Sequence, residues 1–124
     1  MENTDYKFGF EKLHVWQETR KFISKIYELT RSFPADEKFG LTNQIRRASV
    51  SIAANIAEGT SRTSSKDQAH FTNLSYSSLM EVLNHLYISL DLSYIPDEKF
   101  KDMRNHIVNL SNQINALHKS QRNR

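Results

Sequence analysis

The chain of 124 residues contains no cysteine, only two prolines and only three glycines. The absence of cysteine excludes disulfides and thiolate metal sites. No apolar run approaches the roughly 20 residues that a membrane-spanning helix needs. The first seven residues lack the basic start and apolar stretch of a signal peptide. We therefore expect a cytoplasmic protein with no membrane partner.

Neither sign of charge is strongly in excess. The chain has 17 Lys and Arg against 14 Asp and Glu, a net charge of +3. This balance permits contact with nucleic acid or an acidic partner but does not by itself argue for either. Hydrophobic residues make up 38% and charged residues 25%, so disorder throughout is not expected. We predict one domain over 1–124, with its core at about 8–118 and a frayed basic tail at 119–124.

The few prolines and glycines divide the first half of the chain into two helices. Apolar residues at helical spacing predict helix 1 from about Phe10 to Arg31, before Pro34. They are Leu13, Trp16, Ile23, Ile26 and Phe33. Helix 2 then extends to about Glu58, and Gly59 is predicted to end it in a left-handed conformation.

Two more helices are predicted in the second half. Ser65 has the position of an N-cap, and Gln68 three residues later completes a capping-box pattern. Helix 3 then ends near Ser93, and Pro96 suits the first turn of helix 4. Helix 4 carries apolar residues alternately three and four apart: Phe100, Met103, Ile107, Leu110, Ile114 and Leu117. Four such helices with short loops predict an all-α protein, an antiparallel up-down-up-down four-helix bundle.

Helix 2 is the most informative segment because it has no ordinary solvent-facing side. Its apolar stripe is Leu41, Ile45, Ala48, Ile52 and Ile56. A polar stripe contains Arg47, Ser51, Asn55 and Glu58, and a stripe of small residues contains Val50, Ala53, Ala54 and Ala57. The small residues let another backbone approach closely, which predicts an oligomer contact.

The polar stripe has two interpretations. It contacts a ligand or nucleic acid, or it forms a buried structural network that Glu81 of helix 3 completes. A buried arginine needs a carboxylate, because an unpaired buried charge costs several kcal/mol. We favour the structural network and expect Arg47 to pair with Glu81.

The same segment and its flanks carry a family resemblance. The central motif consists of Gly40-Leu41, Gln44-Ile45-Arg46-Arg47-Ala48, Ser51-Ile52, Asn55-Ile56-Ala57-Glu58-Gly59 and Arg62. Further matches are Phe10, Leu13-His14-Val15-Trp16, Ile26-Tyr27, Phe33-Pro34, Ser78-Leu79-Met80-Glu81 and Leu92-Ser93-Tyr94-Ile95. This pattern, over roughly 8–118, resembles the 23S rRNA intervening-sequence proteins and is similar to the accessory variability proteins of diversity-generating retroelements. Relatives often have glycine where Ser93 stands.

The resemblance implies a homopentameric four-helix bundle that associates with nucleic acid. We accordingly expect a non-enzymatic oligomer that contacts RNA or DNA through Arg46, Arg62 and Lys66, with the basic tail assisting. The alternative is a protein-interaction scaffold that docks a partner protein without binding nucleic acid. Neither the sequence nor the resemblance separates the two.

Catalytic and cofactor chemistry has no residue pattern behind it. A di-iron bundle needs Glu-x-x-His on two helices, whereas Glu81 and His85 are four apart and form the only such pair. No nucleophile elbow or phosphate-binding glycine loop is present. We expect no enzyme activity, no metal and no cofactor.

Overall fold

The computed structural model describes residues 4–124. Residues 1–3, which belong to the predicted domain and to the segment compared with a signal peptide, lie outside the described residues. The four α-helices are α1 (His14–Thr30), α2 (Leu41–Ser61), α3 (Ser65–Asp91) and α4 (Asp97–Arg122). Short 3₁₀ turns at Gly9–Lys12 and Ala35–Glu37 precede α1 and α2. Residues 4–124 contain no strand. These elements confirm the all-α, four-helix prediction.

Hydrogen bonds made by side chains show how consecutive helices align. Ser75 Oγ of α3 donates to the Ile52 carbonyl of α2 at 2.8 Å, and the Ser51 and Ser78 hydroxyls lie 3.0 Å apart. Residue 51 of α2 thus contacts residue 78 of α3, and residue 52 contacts residue 75. Numbers that rise along one helix as they fall along the other are typical of antiparallel neighbours. Further contacts join the end of α1 to the start of α2 and the start of α3 to the end of α4.

The core follows the predicted stripes on α2 and α4 more closely than on α1. All five apolar α2 residues are buried, and so are the first five on α4. On α1, Phe22 is buried, whereas Trp16 and Ile23 are only partly buried. Packing against α2 and α4 buries Val15, Phe22 and Ile26, a face of α1 that is slightly rotated from the predicted stripe.

Hydroxyl side chains occupy several fully buried positions on α1, α2 and α3. Thr19, Ser49, Thr72, Ser75 and Ser89 are completely inaccessible to solvent. Each hydroxyl donates a hydrogen bond to a backbone carbonyl or to a side-chain oxygen, so burial leaves none of them without a partner. Their small volume allows the helices to approach closely.

The end of α2 differs from the prediction. The helix continues through Gly59 to Ser61, and Gly59 is not left-handed. A Cβ on Gly59 would lie 3.0 Å from Phe71 Cβ and 3.1 Å from the Gln68 carbonyl oxygen. Glycine therefore suits this position because α3 passes close to α2, and not because the chain turns.

Three other helix boundaries also shift. Helix α1 begins at His14, because residues 9–12 form a separate 3₁₀ turn. The N-cap of α3 is Ser64, whose Oγ accepts from the Asp67 amide at 3.1 Å, so Ser65 and Gln68 do not form the predicted capping box. Pro96 is the N-cap of α4, one residue before the predicted first turn.

Helix α3 ends at a left-handed serine. Ser93 has φ of 61°, the Tyr94 amide donates to the Ser89 carbonyl at 2.9 Å, and the Ser93 amide donates to the Leu90 carbonyl at 3.0 Å. These two bonds define a Schellman motif, in which glycine is the usual left-handed residue. Tyr94 then donates to Glu37 Oε2 at 2.8 Å, a hydrogen bond that raises the pKa of Tyr94 above its ordinary value.

Replacing this serine by glycine is expected to stabilise the protein. A left-handed conformation costs a non-glycine residue roughly 1–2 kcal/mol, and the greater flexibility of glycine in the unfolded chain offsets part of that gain. Ser93→Gly should therefore raise the free energy of unfolding by about 0.5–1 kcal/mol in urea denaturation. The control Ser77→Gly, on the exposed side of α3, should lower it by about 0.5 kcal/mol. Destabilisation by both substitutions would contradict this account of Ser93.

Candidate nucleic-acid interface

Arg62 follows the last residue of α2 and is held by two neighbours. Its Nη2 donates to Glu58 Oε1 at 2.6 Å, and its guanidinium carbon lies 4.6 Å from the centre of the Phe71 ring. The side chain is still 42% exposed. An exposed ion pair contributes about 1 kcal/mol or less, so a phosphate can compete with Glu58 for this positioned cation.

Gln68 joins the α2–α3 loop to the end of the chain. Its Nε2 donates to the Arg62 carbonyl at 2.8 Å, and its Oε1 accepts from Arg124 Nη1, also at 2.8 Å. One amide thus brings the backbone of Arg62 and the guanidinium of Arg124 to the same place. Lys66 lies on the first turn of α3, between Arg62 and Gln68 in sequence. Its side chain is exposed and makes no hydrogen bond or ion pair within residues 4–124.

Lys119 and Arg122 lie on a regular helix and not on the predicted frayed tail, and Arg124 follows two residues after its end. Helix α4 continues to Arg122 because Gln121 is buried, at 2% exposure, and accepts from Thr72 Oγ1 at 2.5 Å. This buried hydrogen bond fixes the last turn of α4 against the start of α3. Lys119, Arg122 and Arg124 consequently share one end of the bundle with Arg62 and Lys66.

Charge is distributed unevenly between the two ends of the bundle. We call the half formed by residues 4–22, 52–78 and 110–124 the basic end. Its nine cations are Lys7, Lys12, Arg20, Lys21, Arg62, Lys66, Lys119, Arg122 and Arg124. Its five anions are Asp5, Glu11, Glu18, Glu58 and Asp67. The opposite half of the described chain has eight of each sign, so the basic end carries the positive excess.

Arg46 does not belong to this group. It precedes Arg62 by 16 residues of helix, which corresponds to about 24 Å. Its Nε donates to Thr30 Oγ1 at 2.8 Å, its Nη2 donates to the Tyr27 carbonyl at 3.3 Å, and its guanidinium stacks over the Tyr27 ring at 4.7 Å. Arg46 thus fastens α2 to the end of α1, and the three predicted cations do not form one site within a chain.

The predicted polar network is divided into separate contacts. Asn55 Nδ2 donates to the Ser51 hydroxyl at 3.0 Å, and that hydroxyl reaches Ser78. Glu58 instead pairs with Arg62, and Glu81 lies 3.2 Å from His85 Nε2. Arg47 is exposed and has no ion pair within residues 4–124. The expected Arg47–Glu81 pair is absent from the chain because both side chains lie on the outer surface, where water solvates each charge.

The small residues of α2 have a partner within the chain that the sequence did not reveal. Ala54 and Ala57 line a cleft of about 350 Å³ together with Phe8, Gly9 and Phe10, in the segment before α1. Part of the small-residue stripe thus accommodates the protein's own N-terminal segment. Val50, at 44% exposure, and Ala54 still face solvent.

Sequence reasoning missed two kinds of site residue. Gln68 was assigned to a capping box, although its amide organises the basic end. Tyr6 and Phe8 were not considered, although they are 64% and 60% exposed. The core spacing of the other aromatic residues predicted no base stacking, and a Tyr-Lys-Phe triplet outside any predicted helix was the available signal for these two exposed rings.

Two other classes of site do not occur in the described part of the chain. Within it, no three His, Asp or Glu side chains are arranged to hold a metal ion. Likewise, no helix there combines the length and apolar character required to cross a membrane.

Sequence and structure comparisons relate this geometry to known proteins. The profile of the family described as 23S rRNA-intervening sequence protein matches residues 11–116. A solved structure with the same fold is a protein of unknown function from the S23 ribosomal protein family of Bacteroides thetaiotaomicron VPI-5482, determined at 1.70 Å. The two chains are 22% identical over 85% of this chain and 95% of that one, with a TM-score of 0.77. No curated protein matches the chain. Because the profile spans most of its length, the chain belongs to the 23S rRNA-intervening sequence protein family.

Proposed function

We propose that this protein is a non-enzymatic nucleic-acid-binding protein that contacts the phosphate backbone through its basic end. The uneven distribution of charge carries the proposal, because the positive excess lies in the half of the bundle that contains Arg62, Lys66 and Arg124. Gln68 holds two of these three residues together. The family name makes a structured RNA the first ligand to test.

Binding of this kind is expected to be sequence-tolerant. Lys and Arg contacts to phosphate release counterions and position a protein without reading bases. The +3 charge of one chain is small, so a single copy should bind weakly. Several copies in one assembly would present the same cations repeatedly, and multivalency raises avidity without new contacts.

We further propose that the chain acts as a homo-oligomer, with five copies as the resemblance implies. The outer surface of α2 and α3 supports this proposal. Val50, Leu74, Ile88 and Leu92 are 38–50% exposed there. Arg47 on the same surface has no ion-pair partner within the described residues. A second copy would cover the apolar side chains and bring a carboxylate within reach of Arg47.

The basic-end hypothesis predicts a specific salt dependence. In a titration of structured RNA at two salt concentrations, R62Q/K66Q/R124Q should bind more weakly than the wild type. The slope of log affinity against log salt should flatten by roughly 0.7–0.9 for each phosphate that the variant no longer neutralises. The matched control K38Q/K99Q/K101Q removes three exposed cations from the opposite half and should change affinity much less.

Arg46→Gln serves as a second control. It should leave the salt slope unchanged but lower the free energy of unfolding by about 1–3 kcal/mol, because it removes a charged hydrogen bond between α1 and α2. Equal RNA affinity for the wild type and the basic-end variant would contradict the proposed surface. Salt-insensitive binding to a protein partner, with no retention of RNA, would establish the scaffold alternative instead.

The oligomer proposal predicts different effects at two equally exposed valines. Val50 on α2 and Val108 on α4 are 44% and 42% exposed, so each tolerates glutamate within one chain. In light scattering at tens of micromolar, a range typical of protein interfaces, V50E should shift the protein toward monomer and V108E should not. A monomeric wild type at that concentration would refute the proposal.

A further inference from the structure

Two aromatic rings project from the segment that precedes α1. Tyr6 and Phe8 are 64% and 60% exposed, and their ring centres lie 5.0 Å apart in an edge-to-face arrangement. Each ring therefore has a surface that the chain leaves in water. Each Å² of apolar surface left in water costs about 25 cal/mol of free energy. A ligand that covers the two exposed rings would recover part of that cost, which makes the pair a candidate contact surface.

The protein holds this segment in place at three points. Glu11 Oε1 accepts from the Phe8 amide at 3.0 Å, and Gln17 Nε2 donates to the Glu11 carbonyl at 2.9 Å. Gly9 lies so close to α2 that a Cβ there would be 3.2 Å from Thr60 Cγ2. Phe8 is thus anchored to both α1 and the last turn of α2.

This anchoring places Phe8 near the Glu58–Arg62 ion pair at the end of α2. Phe8 lines the same cleft as Glu58 and Ser61, and Glu58 is the residue that holds Arg62. Lys7 lies between the two aromatic residues in sequence. Aromatic rings next to a positively charged surface are the combination with which proteins bind single-stranded nucleic acid, because bases stack on the rings while phosphates meet the cations.

We propose that Phe8 and Tyr6 form a stacking platform for unpaired nucleotides, so that the basic end prefers single-stranded segments of RNA to continuous duplex. This inference rests on the proposed function and adds the structural class of its ligand. Charge complementarity selects a nucleotide over an apolar protein side chain as the occupant, because the rings belong to the half of the bundle that carries the positive excess. The bases of a duplex are stacked on one another and cannot reach the rings, whereas bases in loops and ends can.

The opposite half of the bundle supplies a matched comparison. Phe39 is 86% exposed and lies within 5.4 Å of Lys38 Nζ, yet that half carries no positive excess. It is therefore an exposed aromatic next to a lysine but away from the basic end.

The test measures affinity by fluorescence anisotropy for a labelled single-stranded RNA and for a duplex of the same length. The wild type should bind the single strand more tightly. Phe8→Ala should weaken single-strand binding about tenfold, because the loss of one base–aromatic stack lowers affinity by about that factor. Duplex binding should remain nearly unchanged. Phe8→Leu keeps the apolar volume without the aromatic face and should weaken it similarly, whereas Phe39→Ala should have no effect. Circular dichroism melting establishes that each variant is folded.

The outcomes separate this inference from the function on which it rests. If R62Q/K66Q/R124Q loses binding while Phe8→Ala and Phe8→Leu bind like the wild type, the basic end is correct and the stacking platform is wrong. Equal wild-type affinity for single strand and duplex would likewise overturn the platform. If the wild type binds neither RNA, both the proposed function and this inference fail.

Discussion

The close approach of α2 and α3 is the constraint on which the rest of the structure depends. Ser75 donates to the Ile52 carbonyl, and a Cβ on Gly59 would lie only 3.0 Å from Phe71 Cβ. Small residues permit the close approach at these two points. Because the two helices pack closely up to the loop that joins them, that loop is short, and Arg62 and Lys66 have a fixed position.

The basic end follows from this hairpin through polar contacts that extend outward. Gln68 on the first turns of α3 binds both the loop and Arg124, while Thr72 one turn later binds the buried Gln121. These contacts bring the end of α4 to the loop. On the other side, Gly9 lies against Thr60 and brings the N-terminal aromatic residues to the same end. Three distant parts of the sequence thereby contribute to one charged surface.

The sequence predicted the parts of the fold that depend on periodicity. The apolar stripes of α2 and α4 are buried as expected, because long helices with a regular repeat leave one choice of inner face. The sequence prediction failed where one residue type, here glycine, is used both at left-handed positions and at close contacts between helices. Gly59 was predicted to end α2 in a left-handed conformation but lies within the helix at a close contact with α3, whereas Ser93 occupies a left-handed position that usually selects glycine. The partners of Arg46 and Gln68 depend on which residues of other helices are adjacent, which periodicity does not specify.

The central claim is that nucleic acid contacts one end of the bundle, and photo-crosslinking locates that contact most directly. RNA with 4-thiouridine in an unpaired loop is irradiated in complex with the wild-type protein, and the crosslinked peptides are identified by mass spectrometry. Crosslinks are expected within 4–20, 58–70 and 116–124. Crosslinks concentrated within 31–47 or 91–104, at the opposite end, would contradict the claim.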